Sequence, residues 1–351
     1  MLRIVPWVIL LATVSFSFTD TTVTHHKNDQ LDFVRPDYAG NPKIGNRFQN
    51  QSPRDQPGFW KLMKWGFSHF GDQSIKTSDT FRPRYLSLTP DSIAKMRGVV
   101  WLGHSSLLIQ SDSISLLIDP VQSFPFNKRL SPSPILLSKI PHVDYLLVSH
   151  GHLDHLDTKV ASALDGSRTT ALVPLKMGNI IRNANPNMVA QEAGWWQKFR
   201  TSKHVEVVFL PAQHWHRRGL ADQDEVLWGG YWIRIDGVTI YYSGDTSYGP
   251  HFKEIRRIMG APDIAILPIG AYRPDYIMKA SHMTPLEASE AFRDLGAKVL
   301  LPCHWGTFDL SDEPPGEPIQ WLRQIEAQGN ISGKLVEMGI GEVIPFSVVG
   351  P

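Results

Sequence analysis

The sequence predicts an α/β fold in which two β-sheets pack face to face with helices outside them, and three observations predict it. Short, apolar, β-rich runs alternate with helical stretches from about residue 97 onward. The order strands-then-helix occurs twice along the chain, as expected for two packed layers of sheet. Polar side chains capable of chemistry stand just after several of the apolar runs, where loops at a sheet edge would bring them to one cleft.

At the amino terminus Arg3 precedes the apolar run Ile4 to Val14, followed by the small residues Ser15 and Ser17. This pattern predicts a signal peptide or N-terminal anchor over residues 1–18. The run is shorter than the roughly 20 apolar residues a transmembrane helix needs. A signal would make the protein exported or membrane-associated, on the periplasmic or other extracytoplasmic face. Without one it would be cytoplasmic and peripheral to a membrane. Residues 19–58 are polar and rich in Asn, Asp, Gln and Pro, which predicts a linker or an arm lying over the domain. A main domain is expected over residues 59–350. It begins with an amphipathic helix at 59–70, where Trp60, Met63, Phe67 and Phe70 oppose Lys61, Lys64 and Ser68. Such a helix can lie in a membrane interface or pack its aromatic face on the domain.

Strands are then expected at Val99–Leu102, Ser106–Ile109, Leu116–Asp119, Tyr145–Ser149 and Thr170–Pro174, with a helix near Thr158–Leu164. A second set follows at Val205–Leu210, Tyr231–Ile235, Thr239–Ser243, Ile264–Pro268 and Lys298–Leu301. Helices are expected near Phe252–Met259 and Pro285–Leu295. Composition excludes some classes. A formal net charge of +1 gives no electrostatic case for a nucleic-acid partner. The one cysteine, Cys303, excludes an intrachain disulfide and a Cys-rich zinc site, and reads as a small buried apolar residue.

The densest cluster is Ser149-His150-Gly151-His152-Leu153-Asp154-His155-Leu156-Asp157. In an extended backbone residues i and i+2 point the same way, so His150 and His152 can grip one ion. The chain must then turn, and Asp154 and His155 face a second point. Imidazole suits zinc or iron, and a carboxylate can bridge two ions. Three later strand ends deliver His214, Asp245 and His304. Asp119, also at a strand end, is a candidate for orienting a ligand imidazole, as is Asp157; His104 reads as a buried hydrogen-bonding residue. No Gly-x-Ser-x-Gly elbow or paired Cys and His offers a protein nucleophile.

The string from His150 to His155, followed by His214, Asp245 and His304, resembles the metallo-β-lactamase superfamily. The stretches around Trp101-Leu102-Gly103-His104-Ser105, Pro211-Ala212-Gln213-His214-Trp215, Val226-Leu227-Trp228-Gly229, Ser243-Gly244-Asp245-Thr246, Pro268-Ile269-Gly270-Ala271-Tyr272 and His304-Trp305-Gly306-Thr307-Phe308 are more narrowly similar to its N-acylphosphatidylethanolamine-hydrolysing phospholipase D branch. The resemblance spans about residues 45–345. It implies an αββα four-layer sandwich with the metal site at one edge of the two sheets. His150, His152 and His214 would hold one metal, and Asp154, His155 and His304 the second, with Asp245 bridging. Two zinc ions are implied, with Mn2+ or Fe2+ as alternatives. His282, ahead of a helix begun by Pro285, would stand near the leaving group, and Tyr272 would line the cleft. Asp154 would take part in catalysis as well as ligation. Gly151, Leu153 and Arg273 depart from the family pattern, which bears on substrate choice.

The expected activity is hydrolysis of a phosphodiester by metal-activated water. Its substrate would be a membrane phospholipid such as an N-acylphosphatidylethanolamine, giving an N-acylethanolamine and phosphatidic acid. The alternatives are a lactone or other soluble phosphodiester on the same site, and a non-catalytic metal-binding regulator. A homodimer is left open.

Overall fold

The computed structural model describes residues 22–350 apart from 54–57, 59, 62, 66–75, 77 and 126. The expected signal at 1–18 lies outside the described residues, as do Phe67, Ser68 and Phe70. Among the described residues no helix is long and apolar enough to cross a membrane.

Two seven-stranded sheets carry the domain. Strands β1 (Val23–His26), β2 (Asn41–Ile44) and β3 (Arg47–Phe48) form a small antiparallel sheet of their own. The first large sheet contains β4 (Gly98–Gly103), β5 (Ser106–Gln110), β6 (Ser115–Ile118), β7 (Tyr145–Leu147), β8 (Thr170–Pro174) and β9 (Val189–Ala193). The second contains β10 (Gln197–Lys198), β11 (Val205–Leu210), β12 (Gly230–Ile235), β13 (Val238–Tyr242), β14 (Ile264–Pro268), β15 (Val299–Cys303) and β16 (Lys334–Leu335). A last strand, β17 (Val343–Ile344), returns to pair antiparallel with β4. The strand orders are β17-β4-β5-β6-β7-β8-β9 and β10-β11-β12-β13-β14-β15-β16. Each sheet starts antiparallel and becomes parallel, from β6 in one and from β13 in the other.

The strands read as continuous apolar runs because both of their faces are covered. Val99 and Trp101 of β4 join the cluster shared with Val207, Phe209 and Ile233 of the second sheet. Their neighbours Val100 and Leu102 face the opposite way, into a cluster with Val160, Ala161 and Ile181. Those three come from helices α2 (Thr158–Ala163) and α3 (Gly178–Ala184), which follow the short α1 (Pro90–Ala94). On the far side α4 (His251–Met259), α6 (Pro285–Leu295) and α7 (Glu317–Ala327) cover the second sheet, with the four-residue α5 (Asp275–Met278) between them. The result is the four-layer α/β sandwich.

The polar segment 19–58, expected to be a linker or arm, is ordered into the small sheet from Val23 on. The Gln197 side chain takes the Asn28 backbone N–H and donates to the Asn28 and Leu31 carbonyls, while Leu31 and Phe48 enter the shared core. Apolar anchors this far apart, set among polar residues, leave no periodicity to read. Within 59–70, Trp60, Lys61 and Met63 to Trp65 are helical, Trp60 is 80% exposed, and Trp65 Nε1 donates to Asp312 Oδ2 at 3.0 Å.

Candidate metal centre

Six strand ends converge on one edge of the sandwich. His104 follows β4, Asp119 follows β6, the 149–155 turn follows β7, His214 follows β11, Asp245 follows β13 and His304 follows β15. This is the carboxyl-terminal edge, where parallel strands of α/β proteins present their functional loops. The backbone is bent sharply there. His104, Asp119 and His304 take positive φ values of 55°, 41° and 59°, a conformation that strains residues with a Cβ. Gly244, at φ 61°, meets the same demand without that strain, and a Cβ there would stand 2.6 Å from the Gly229 carbonyl. The turns are stitched across the two sheets, since the His304 N–H donates to the His104 carbonyl at 3.0 Å.

The seven residues expected as ligands meet in one cluster. His150, His152 and His214 form one group whose donor atoms could share an ion. His150 Nε2 and His214 Nε2 lie 2.9 and 3.3 Å from His152 Nδ1. The edge of a tetrahedron with zinc–nitrogen bonds of ~2.0 Å is about 3.3 Å, so this group fits such an ion. Asp154, His155, His304 and His104 form a second group, while Asp245 is shared by further groups with His150 and His155 and with His214 and His282. Asp245 Oδ2 stands 3.1 Å from both His155 Nε2 and His304 Nε2 and 4.0 Å from His214 Nε2. His155 Nε2, His304 Nε2 and Asp245 Oδ1 are buried without hydrogen-bond partners. Orphaned buried donors and acceptors are rare, and a cation would satisfy them together.

Electrostatics suit the same reading. Burial keeps His150 far below the ordinary imidazole value and lowers His152 to about 3, so both are neutral donors. Burial would raise the Asp245 carboxyl, but the facing His155 and His304 outweigh it and hold Asp245 ionised. Conversely, burial would lower His304, but Asp245 and Asp154 bring it up to about 9. In the metal-free protein protons therefore occupy places that a cation would take over.

A second layer of contacts aims these ligands. Asp119 is fully buried and accepts from Ser149 N, Ser149 Oγ, His155 Nδ1 and Tyr242 Oη, at 2.7, 2.6, 2.7 and 2.5 Å. Because the Ser149 hydroxyl donates to Asp119, its oxygen is left to accept from His150 Nδ1 at 3.0 Å. One carboxylate thus orients two ligand rings. His214 Nδ1 is 3.0 Å from the Ser281 carbonyl. His104, which reads from sequence as a buried hydrogen-bonding residue, has Nε2 3.1 Å from Asp154 Oδ2 and also stands among the atoms able to hold a metal.

His282 is brought to the cluster by the start of α6. Thr284 caps that helix in a reciprocal box with Glu287, and Pro285 occupies its first turn. His282 Nδ1 lies 3.9 Å from Asp245 Oδ2, and burial lowers its pKa to about 4. Tyr272, expected to line the cleft, instead turns its hydroxyl to Glu317 Oε1 at 2.6 Å and packs against Trp321. Glu313, which accepts from the Tyr272 N–H at 3.3 Å, and Glu317 hold it in that place. Asp157, expected behind a ligand, caps α2 through the Lys159 N–H and accepts from Ser123 N. Cys303 is buried as expected.

A β-lactamase superfamily domain matches residues 115–305. The chain belongs to the metallo-β-lactamase superfamily. Among relatives of this family, the N-acyl-phosphatidylethanolamine-hydrolyzing phospholipase D 1 of Caenorhabditis elegans is 30% identical over 353 residues, covering 92% of this chain and 97% of its own. A metal-dependent hydrolase of Archaeoglobus fulgidus is 27% identical and covers 71% of this chain and 99% of its own. In structure, a metallo hydrolase of Ignicoccus hospitalis superposes with a TM-score of 0.55 at 21% identity, over 70% of this chain and 96% of its own. The family assignment makes this chain a metal-dependent hydrolase.

The sequence reading missed three residues beside the cluster: His216, Arg218 and Asp222. Their signal was a second histidine two positions after His214, in the stretch His214-Trp215-His216-Arg217-Arg218.

Proposed function

We propose that this chain is a binuclear zinc phosphodiesterase of phospholipase D type, releasing an N-acylethanolamine and phosphatidic acid from an N-acylphosphatidylethanolamine or a related phospholipid. The observation that carries it is the pair of ligand groups meeting on Asp245, with His282 beside them. Similarity to the C. elegans phospholipase over nearly both whole chains supports the lipid substrate. Exposed Trp60, Lys61 and Lys64 support work at a lipid surface.

When bound, two zinc ions would supply a water acidified to about pKa 7 and would neutralise charge on the phosphoryl oxygens. The protein's own part is orientation and proton placement. His150, His152 and His214 would hold one ion; Asp154, His155 and His304 would hold the other, and Asp245 would serve both. Asp119 and the Ser281 carbonyl keep His150, His155 and His214 aimed. His282 is neutral at pH 7, so it would act as an uncharged N–H donor to a phosphoryl or leaving oxygen rather than as a cation.

Purified protein reconstituted with zinc and offered N-acylphosphatidylethanolamine in vesicles should yield phosphatidic acid carrying the oxygen of labelled water. Loss of no phospholipid under those conditions would sink the lipid reading. Turnover of a soluble lactone or phosphodiester in the same experiment would transfer the assignment to that substrate.

A further inference from the structure

Three of the ligand histidines are held from behind: His150 by Ser149 Oγ, His155 by Asp119 and His214 by the Ser281 carbonyl. A ring held at one nitrogen presents the other in a fixed tautomer. His152 turns Nδ1 into the cluster, so Nε2 is its outer atom, and that atom is buried without a partner. Beside it lies His216. Its ring is parallel to that of His152 within 10°, with 6.4 Å between centroids, and it is fully buried. Neither nitrogen of His216 has a hydrogen-bond partner. Three buried, orphaned nitrogens on two neighbouring rings demand an explanation.

The loop bearing His216 is fastened. The His216 N–H donates to Asp224 Oδ1 at 3.1 Å, and its carbonyl accepts from Asp224 N at 2.8 Å. Asp222 accepts from Gly219 N at 2.8 Å and stands with Oδ2 3.7 Å from His216 Nε2. Arg218 Nη1 donates to the Gly151 carbonyl at 3.2 Å, tying the loop to the ligand turn. The His216 ring occupies the place a side chain at 151 would take. A Cβ on Gly151 would fall 2.1 Å from Cε1, 2.6 Å from Nδ1 and 3.3 Å from Nε2, so the Nδ1 edge faces the ligand turn.

We propose that His216 is a positioning residue for His152, accepting the His152 Nε2–H at Nδ1 through one bound water, while Asp222 takes the N–H at His216 Nε2. A divalent transition-metal ion on His152 Nδ1 leaves that ring's only proton on Nε2. The pair His216–Asp222 gives this proton a destination, so His152 is aimed as its three companions are. No bond is made or broken in this arrangement. The inference rests on the metal-centre reading and not on the lipid substrate.

The test is a zinc titration of the full-length, metal-stripped protein against a competing chelating dye. His216→Phe keeps ring volume and removes both nitrogens. It should weaken zinc binding at the first site about 10–100-fold, the usual effect of deleting such a partner, while the metal-free melting temperature stays put. His216→Gln restores an acceptor and should recover most of the affinity. In cobalt-loaded protein the exchangeable His152 Nε2–H resonance should persist in the wild type and in His216→Gln but exchange away in His216→Phe. Wild-type affinity in His216→Phe would overturn the proposal. So would equal weakening by Phe and Gln together with a fall in metal-free melting, which marks a packing role. Should His216→Phe not fold, Asp222→Asn carries the test, and unchanged affinity there overturns it equally. A wild-type chain that takes up no zinc would sink the metal-centre reading itself.

Discussion

Asp119 Oδ2 lies 2.7 Å from His155 Nδ1, and both side chains are fully buried. The same carboxylate takes a hydroxyl from Tyr242, so a residue of the second sheet closes on an acid of the first. Asp119→Asn replaces an acceptor with an amide facing three donors around Oδ2. Metal affinity should fall about 10–100-fold, and stability by about 1–3 kcal/mol from the unsatisfied buried groups. Metal analysis and denaturant melts check this; a variant with full metal content and unchanged melting contradicts it.

His282 and Asp245 should separate cleanly. His282→Ala is expected to keep its metal and to lose roughly 10²–10⁴ in turnover, as for a deleted proton donor. Asp245→Asn should lose metal from both groups, because Asp245 Oδ2 is 3.1 Å from His155 and His304 and also within reach of His214. Metal content measured beside activity decides between them. If His282→Ala loses its metal, that histidine is structural.

Gly151 has no room for a side chain. Gly151→Ala drives a methyl into His216 and should destabilise the fold by about 1–3 kcal/mol, as overpacking does. Truncating the obstacle in Gly151→Ala/His216→Ala should recover part of that loss. Strictly additive effects in the double variant would show that the two positions do not meet in this way.

Stability of the metal-free protein should peak near neutrality. Burial lowers His251, whose Nε2 is 3.2 Å from Thr246 Oγ1, from 6.5 to about 3. Between those values the unfolded chain binds the extra proton, so stability falls as pH drops from 6.5 towards 3. His304 has the opposite sign: its pKa is raised to about 9, so its contribution is full below 6.5 and is lost as pH rises through 9. Zinc binding requires His304 deprotonated, so loading should flatten the alkaline limb and steepen the acid one. Melting temperatures across pH 3 to 10, with and without zinc, test both limbs.

Much of this was legible in the sequence, for physical reasons that also mark the gaps. Strands such as Ile264–Pro268 are covered on both faces, so they stand out as unbroken apolar runs. The ligand cluster is readable because a strand end imposes its spacing on His150 and His152. By contrast β9, Val189-Ala190-Gln191-Glu192-Ala193, is a half-exposed edge strand whose polar residues hide it. The segment at 23–48 docks through Gln197 and through Leu31 and Phe48, apolar residues too far apart to form a periodic signature. His104 reaches Asp154 across the intervening strands β5 and β6 of one sheet, fifty residues along the chain, and Tyr272 is turned away by Glu317, more than forty residues further along the chain. Contacts made across the fold leave no local pattern.

The bond from the His304 N–H to the His104 carbonyl crosses from one sheet to the other, and the groups His150, His152, His214 and His104, Asp154, His155, His304 are likewise drawn from both sheets. Neither half of the chain, folded alone, owns a complete set of donors. The complete pair of groups is therefore assembled only where the two halves dock. Pulling the two sheets apart would divide both groups, so the centre is only as durable as the contact between the halves.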